Sequence, residues 1–188
     1  MSNITRKTIS AILDDPLYVE NIQYGKPRKG HPEGSVSAHI QELLNNLDKL
    51  DNKVDISMDD YYKLEFLVHV HDTFKGAAEK GVPITHPKSH ASLARGFASF
   101  YTQDDDLLNM IQYHDEGFAI WRKVVIEGKP LPARFFNLIK LIKDWDLFLT
   151  FNIIDACTDG KDREVIEWFI DTVKEHVETK VDSSWILY

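Results

Sequence analysis

The spacing of apolar residues is the feature that most constrains how this chain folds. Apolar side chains recur three or four residues apart through most of the sequence, and the alternation typical of β-strands is nearly absent. A period near 3.6 residues is that of one face of an α-helix. With 188 residues, the chain is long enough for one domain with a sizeable core. We therefore predict an all-α fold, with a single domain over residues 1–188.

The same spacing places the individual helices. One is predicted from about Ser35 to Leu50. The next begins at Ser57, where Ser57 and Asp60 resemble a capping box, and ends at Gly76. Further helices begin near Ser89, Asp104 and Asp162, and one long helix is predicted to follow KPLP (129–132) and to continue through Asp155. An N-terminal helix and an amphipathic C-terminal helix complete the prediction.

Composition excludes several classes of protein. The net charge of −8 argues against binding to extended nucleic acid, because phosphate backbones need a basic surface. Cys157 is the only cysteine, so the sequence has neither a disulfide framework nor a thiolate zinc cluster. No stretch approaches the roughly 18 apolar residues of a membrane span, and the N-terminal MSNITRKTIS lacks the apolar core of a signal peptide. We expect a cytoplasmic protein without membrane contact.

Several polar residues interrupt the apolar faces of the predicted helices. They are His39, His71, His90, His114 and Asp155, together with Asp72 beside His71. Burying such groups is costly unless they are paired. Two interpretations are open at this point: hydrogen-bonded core residues, or ligands of a shared cation that keeps the carboxylates ionised and the imidazoles neutral. His69 lies roughly 200° around the helix axis from His71, so only one of these two histidines faces the same site.

The order of these residues resembles that of a known family. His39, the pair His71-Asp72 and Asp155 follow the H…HD…D arrangement of the HD superfamily of metal-dependent phosphohydrolases, and the resemblance covers about residues 31–163. HPEGSVSAHI (31–40) looks like its HPE…H segment, and HDTFKG (71–76) is similar to its HD-x-GK form, with Phe74 for the glycine. IDACTDGKD (154–162) is similar to an ADxxGR-like segment, with Lys161 for the arginine.

The likeness is closest to the HD domains attached to bacterial CCA-adding tRNA nucleotidyltransferases. Because no nucleotidyltransferase sequence precedes the motifs here, we do not expect tRNA synthesis. The resemblance implies an HD-type helical bundle with one or two divalent metal ions (Mn, Fe, Ni, Mg or Co) in its core. The first ion would be held by His39, His71, Asp72 and Asp155, with Asp72 able to bridge to a second ion.

The second ion is less constrained by the motifs. HD proteins with two metals add two histidines between the HD pair and the last aspartate, and His90 and His114 occupy those places; both remain open as core histidines. An alignment with cyclic-dinucleotide phosphodiesterases would put Asn152 in place of Asp155. We prefer Asp155, because a carboxylate binds divalent cations better than an amide does. Lesser candidates for this ligand are Asp144, Asp146 and Asp159.

The function implied by the resemblance is hydrolysis of a phosphomonoester or phosphodiester, with a nucleotide as the expected substrate, by a metal-activated water. Asp72 and Lys75 are the predicted catalytic residues, and Lys75 lies on the helical face of the HD pair, where it would bind substrate phosphate. Glu33, Arg28 and Lys29 come from the preceding loop and would contact substrate. Asp115 and Arg163 are further candidates for the site, on the ground of their positions in the sequence alone. Two alternatives remain: an HD-type mixed-valent di-iron oxygenase, and a non-catalytic HD-fold binding protein.

Overall fold

Helices make up the regular structure of the molecule. The computed structural model describes residues 4–28 and 32–187, and within these ranges β-structure is limited to isolated bridge residues, including the bridge between Gly25 and Ser35. The eleven α-helices of the described residues are α1 (Arg6–Leu13), α2 (Pro16–Asn21), α3 (Val36–Lys53), α4 (Met58–Val70), α5 (His90–Ala98), α6 (Asp105–Tyr113), α7 (Glu116–Trp121), α8 (Ala133–Leu141), α9 (Trp145–Ala156), α10 (Glu164–Lys174) and α11 (Ser184–Leu187). A π-helix (Arg122–Ile126) directly follows α7. The predicted all-α fold is confirmed.

Serine and aspartate side chains begin six of the described helices, among them α2, where Asp15 accepts from the N–H of Leu17. Each accepts a hydrogen bond from a backbone N–H group of the first turn; the other five residues are Ser35 for α3, Ser57 for α4, Ser89 for α5, Asp104 for α6 and Asp144 for α9. The first N–H groups of a helix have no partner within the helix, so a cap determines where the helix begins. The starts predicted near Ser35, Ser57, Ser89 and Asp104 are confirmed.

Helix α4 lies at the centre of the fold. It contacts α1, α3, α5, α6 and α9. Its last turns are almost entirely buried, through Leu64, Phe66, Leu67, Val68, His69 and Val70. A helix surrounded by other helices is apolar on most of its surface. The chain that leaves its C-terminal end, His71 and Asp72, therefore enters the interior of the protein.

The end of α4 differs from the prediction. We predicted a helix that continues to Gly76, but α4 ends at Val70 and the following residues form turns. The hydroxyl of Thr73 donates to the carbonyl oxygen of His69 at 2.7 Å, where the Thr73 N–H would bond if the helix continued. The Thr73 N–H instead donates to Val70. The α-helical hydrogen bonding therefore stops here, and the HD pair begins a turn.

The prediction of one long helix after KPLP is wrong. This segment forms two helices, α8 and α9, with a non-helical break between them. The backbone N–H groups of Lys143 and Asp144 donate to the carboxylate of Asp106 in α6, each at 2.8 Å. Asp144 then caps α9 by accepting from the N–H of Leu147 at 2.9 Å. These contacts replace the helical hydrogen bonds at the break. The apolar period runs through it unchanged, so the pattern alone does not reveal it.

The apolar surfaces of the helices are mostly turned inward, with exceptions. The apolar spacing after Ser89 predicts that Phe97 and Phe100 share the inner face of one helix, but α5 ends at Ala98 and Phe100 is 85% exposed. Phe97, on the same predicted face, is buried. No helix in the described part of the chain combines the length and apolar character that a membrane crossing needs.

Candidate metal centre

The six residues predicted as metal ligands come together beside the C-terminal end of α4. They are His71 and Asp72 directly after α4, His39 in α3, His90 at the start of α5, His114 directly after α6 and Asp155 near the end of α9. We refer to them as the His/Asp cluster. Four members are buried, whereas the side chains of His90 and Asp155 are 22% and 24% exposed. The cluster therefore lies in the interior with one side open to solvent.

Asp72 is the centre of the cluster. Its Oδ2 atom lies 3.3 Å from Nε2 of His71 and 3.8 Å from Nε2 of His39. Its Oδ1 atom lies 3.3 Å from Nε2 of His114 and 3.9 Å from Nε2 of His90. Two groups able to hold a metal ion result, one with His39 and His71 and one with His90 and His114, and Asp72 belongs to both. This is the arrangement that a carboxylate bridging two ions requires.

Asp155 completes the first group. Its Oδ1 atom is 2.9 Å from Nε2 of His39 and 3.8 Å from Nε2 of His71. The oxygen thus faces the same two imidazole nitrogens as Oδ2 of Asp72. Three protein ligands with a fourth nearby is a common donor set for a divalent ion bound by nitrogen and oxygen.

Backbone hydrogen bonds orient two of the imidazoles. Nδ1 of His71 lies 3.1 Å from the carbonyl oxygens of both Leu67 and Val68, and Nδ1 of His114 lies 2.8 Å from that of Ile111. A carbonyl oxygen only accepts, so each Nδ1 atom donates, and in the neutral imidazole Nε2 carries a lone pair. In His71, which burial keeps neutral, that lone pair is directed towards Oδ2 of Asp72. This contact between two acceptors is unfavourable unless a cation lies between them.

The charges within the cluster also indicate that it binds a cation. Burial lowers the pKa of His71 and keeps its imidazole neutral. Nε2 of His71 and Oδ1 of Asp72 are buried, and neither forms a hydrogen bond within the described residues. Burial alone would also lower the pKa of His114, but Asp115 and Asp72 raise it to about 9. The cluster thus attracts positive charge, so its donors fit a divalent metal ion.

Two lysines contact the carboxylates from the open side. Lys75 forms an ion pair with Oδ2 of Asp72, and Nζ of Lys161 lies 2.8 Å from Oδ1 of Asp155. Burial alone would raise the pKa values of both carboxyl groups, but Lys75 and Lys161 hold them well below the usual value. The sequence predicted a role for Lys75 but not for Lys161. The available signal was the ADxxGR-like segment, in which Lys161 stands in place of an arginine.

The loop before α3 contacts His39, one of the predicted metal ligands, through Glu33. The carboxylate of Glu33 is buried, and its Oε1 atom lies 3.5 Å from Nδ1 of His39, on the ring side away from the cluster. This geometry fits a group that orients the imidazole. Arg28 is exposed and lines a small recess with Glu33, His39 and Lys75. Substrate contact by Glu33 and Arg28 stays a prediction, and Lys29 and His31 lie outside the described residues.

Asp115 is a further member of the site, which the sequence indicated only by position. Its Oδ2 atom is 3.2 Å from Nε2 of His90, and its Oδ1 atom is 3.6 Å from Nε2 of His114. Its side chain is half exposed. Burial opposes ionisation of this carboxyl group, yet the adjacent His114 and His90 lower its pKa. Arg163 instead donates to the carbonyl oxygen of Ile186 at 3.1 Å.

The alternative candidates for the last ligand have other partners. The side-chain amide of Asn152 donates to the carbonyl oxygen of Phe148 at 2.7 Å. Asp144 caps α9, and Asp146 accepts from the backbone N–H of Lys180 at 2.8 Å. The Asp159 N–H lies 3.3 Å from the carboxylate of Glu42. Asp155 is therefore the candidate with the closest contacts to the histidines of the first group.

Two cavities give small molecules access to the cluster. One, of about 390 Å³, is lined by Asp72, His114 and Asp155. The other, of about 360 Å³, is lined by His90. Lys75 and Asp115 line both cavities and therefore lie where the two meet. Both volumes fall in the range of small-molecule sites, about 300–1,000 Å³.

Comparison of the chain with protein-family models, with curated proteins and with solved structures finds no match. The likeness to the HD superfamily therefore rests on the ordered motifs and on the geometry of the cluster. An all-α fold with a buried His/Asp group able to hold metal is compatible with an HD-type site.

Proposed function

We propose that the protein is an HD-type, metal-dependent phosphohydrolase that cleaves a phosphomonoester or a phosphodiester. The observation that carries this proposal is the double role of Asp72, whose two oxygens face two separate histidine pairs. A cavity with two lysines opens beside these oxygens, as binding of an anionic substrate would require. A nucleotide as substrate and a cytoplasmic location stay predictions from the sequence.

The residues divide into those that hold metal and those that hold substrate. His39, His71, Asp72 and Asp155 would hold one divalent ion, and Asp72 would hold a second one together with His90 and His114. Bound ions would lower the pKa of a coordinated water to about 7 and act as Lewis acids towards phosphoryl oxygens.

The lysines would bind the phosphate oxygens directly. Lys75 lies where the two cavities meet, and Lys161 lies on the wall of the larger one. Burial alone would lower the pKa of Lys75, but Asp72 and Asp115 raise it, so the side chain carries its charge at neutral pH. Two ammonium groups beside the cluster would orient a phosphoryl group and stabilise the charge that develops on it.

Hydrolysis of a generic aryl phosphate tests the proposal. Protein supplied with Mn²⁺ should release 4-nitrophenol from 4-nitrophenyl phosphate or from its bis-ester, and a chelator should stop the release. Asp72→Ala should abolish turnover and lower the bound metal while circular dichroism still shows a helical fold. Asp48→Ala, at an exposed position of α3, is the matched control and should keep both. Retained metal and turnover in folded Asp72→Ala would refute the assignment.

The alternative function is an HD-type mixed-valent di-iron oxygenase. The second histidine pair, His90 and His114, is compatible with it, because the six-ligand set is the same for both chemistries. Iron that co-purifies with the protein, together with oxygen uptake in the presence of substrate, would identify the oxygenase. Metal binding without either reaction would identify a non-catalytic binding protein.

A further inference from the structure

The larger cavity has two chemically different ends. Its charged end contains Asp72, Lys75, Asp155 and Lys161. A second group of lining residues is apolar and comes from other helices: Phe118 of α7 and Val165, Ile166 and Phe169 of α10. We call this second part the apolar wall. The three α10 residues lie beyond residues 31–163, the part of the chain that resembles the HD superfamily, so the resemblance does not predict them.

The apolar wall is held in place by close packing between α7 and α10. A Cβ atom added at Gly117 would lie 3.1 Å from Cδ1 of Phe169, which is tighter than ordinary contact. Glycine at this position therefore lets the two helices approach, and Phe169 and Ile166 are buried in the result. A rigid wall of this kind can select a ligand by shape.

Phe118 is the exposed part of the apolar wall. Its side chain is 54% exposed and is supported by Trp121, with ring centroids 5.9 Å apart and planes 27° from parallel. A ligand in the cavity would cover this ring and remove apolar surface from water, which is favourable. Asp115 and Asp162 also line the cavity, and their carboxylates disfavour a second anionic group on the ligand.

From these contacts we infer that the apolar wall binds the organic part of the substrate, and that this part is apolar or aromatic and uncharged. The inference rests on the proposed function, because it requires the phosphate to lie at the charged end of the same cavity. It restricts the substrate class to monophosphate esters of compact apolar or ring-containing groups. Polyphosphates and polyol phosphates are excluded as preferred substrates.

Phosphonates test this inference without turnover, since their carbon–phosphorus bond is not hydrolysed. Calorimetry on Mn²⁺-loaded protein compares phenylphosphonate with methylphosphonate, which shares the charged group but lacks the ring. Phenylphosphonate should bind at least about tenfold more tightly, the size of effect that an apolar contact in a pocket produces. Phe118→Ala should remove most of that preference and leave the affinity for methylphosphonate unchanged.

Two further variants test whether the preference for phenylphosphonate depends on the apolar wall. Phe136→Ala removes a partly exposed phenylalanine from α8 and should keep the wild-type preference. Val165→Ser changes the other side of the apolar wall and should weaken phenylphosphonate binding alone. Equal affinities for the two phosphonates would overturn the inference while leaving the proposed function intact. Failure of both to bind metal-loaded protein would overturn the proposed function, and this inference with it.

Discussion

Lowering the pH from 6.5 to 4 should destabilise the metal-free protein through one buried histidine, His69. Its Nδ1 atom lies 2.6 Å from the hydroxyl of Tyr18. Burial raises the pKa of Tyr18, so its hydroxyl stays protonated and donates a hydrogen bond to Nδ1 of His69. Protonation of Nδ1 would end its role as acceptor for Tyr18 and would place a charge in the interior. Burial, with a smaller effect from the neighbouring His71, lowers the pKa of His69 from 6.5 to about 4.

The sign and size of the effect follow from these two pKa values. Below pH 6.5 the unfolded chain takes up a proton at His69, whereas the folded protein does so only near pH 4. The unfolded state therefore binds more protons in this window, and the free energy of unfolding falls as the pH falls. A difference of about 2.5 pH units, at 1.36 kcal/mol per unit, corresponds to a loss of about 3 kcal/mol.

Urea unfolding in the presence of a chelator measures this loss. The free energy of unfolding is compared at pH 7, 6, 5 and 4 for the wild type and for His69→Gln, which keeps an acceptor for Tyr18 but does not titrate. The wild type should lose about 3 kcal/mol more than the variant over this range. His86→Gln, at a partly exposed position of a loop, is the matched control and should follow the wild type. Parallel profiles for wild type and His69→Gln would refute the reasoning.

Three substitutions near the cluster have separable consequences. Glu33→Gln should weaken metal binding about 10–100-fold in a metal titration, because it changes the group beside Nδ1 of a ligand; unchanged affinity would count against the orienting role. Asn46→Ala should lower the free energy of unfolding by about 1–3 kcal/mol, since two buried carbonyl groups at the end of α9 lose their donor, while exposed Asn45→Ala should not. Lys75→Met should reduce kcat/KM for phosphate esters about 10²-fold without reducing the bound metal; loss of metal as well would assign Lys75 to the cluster itself.

Much of the fold was predictable because local signals agreed with the tertiary structure. The caps at Ser57 and Ser89 are short-range features, and the apolar stripes that follow them face the core. The break between α8 and α9 was not predictable in this way. It depends on Asp106, which is distant in sequence and takes the N–H groups of Lys143 and Asp144. Periodicity records which face is apolar, but it does not record a hydrogen bond supplied by another helix.

The members of the His/Asp cluster were recognisable because they stand on apolar faces, where a polar residue is conspicuous. Asp115 and Lys161 contact the cluster without that signal. Asp115 follows the end of α6 and is half exposed, and Lys161 lies in the loop after α9. Charged residues at such positions are usually solvated, so only the three-dimensional structure separates these two from the other surface charges.

The number and position of bound metal ions test the central claim most directly. Protein purified gently, or supplied with Mn²⁺, should contain two ions per chain by elemental analysis. Anomalous scattering should place them on either side of Asp72, with Nε2 of His39 and His71 near one ion and Nε2 of His90 and His114 near the other, at about 2.0–2.3 Å. A single ion with His90 and His114 more than about 6 Å away, beyond any ligand bond, would contradict the shared role of Asp72. Refusal of Mn²⁺, Ni²⁺, Fe²⁺ and Mg²⁺ alike would contradict the metal centre itself.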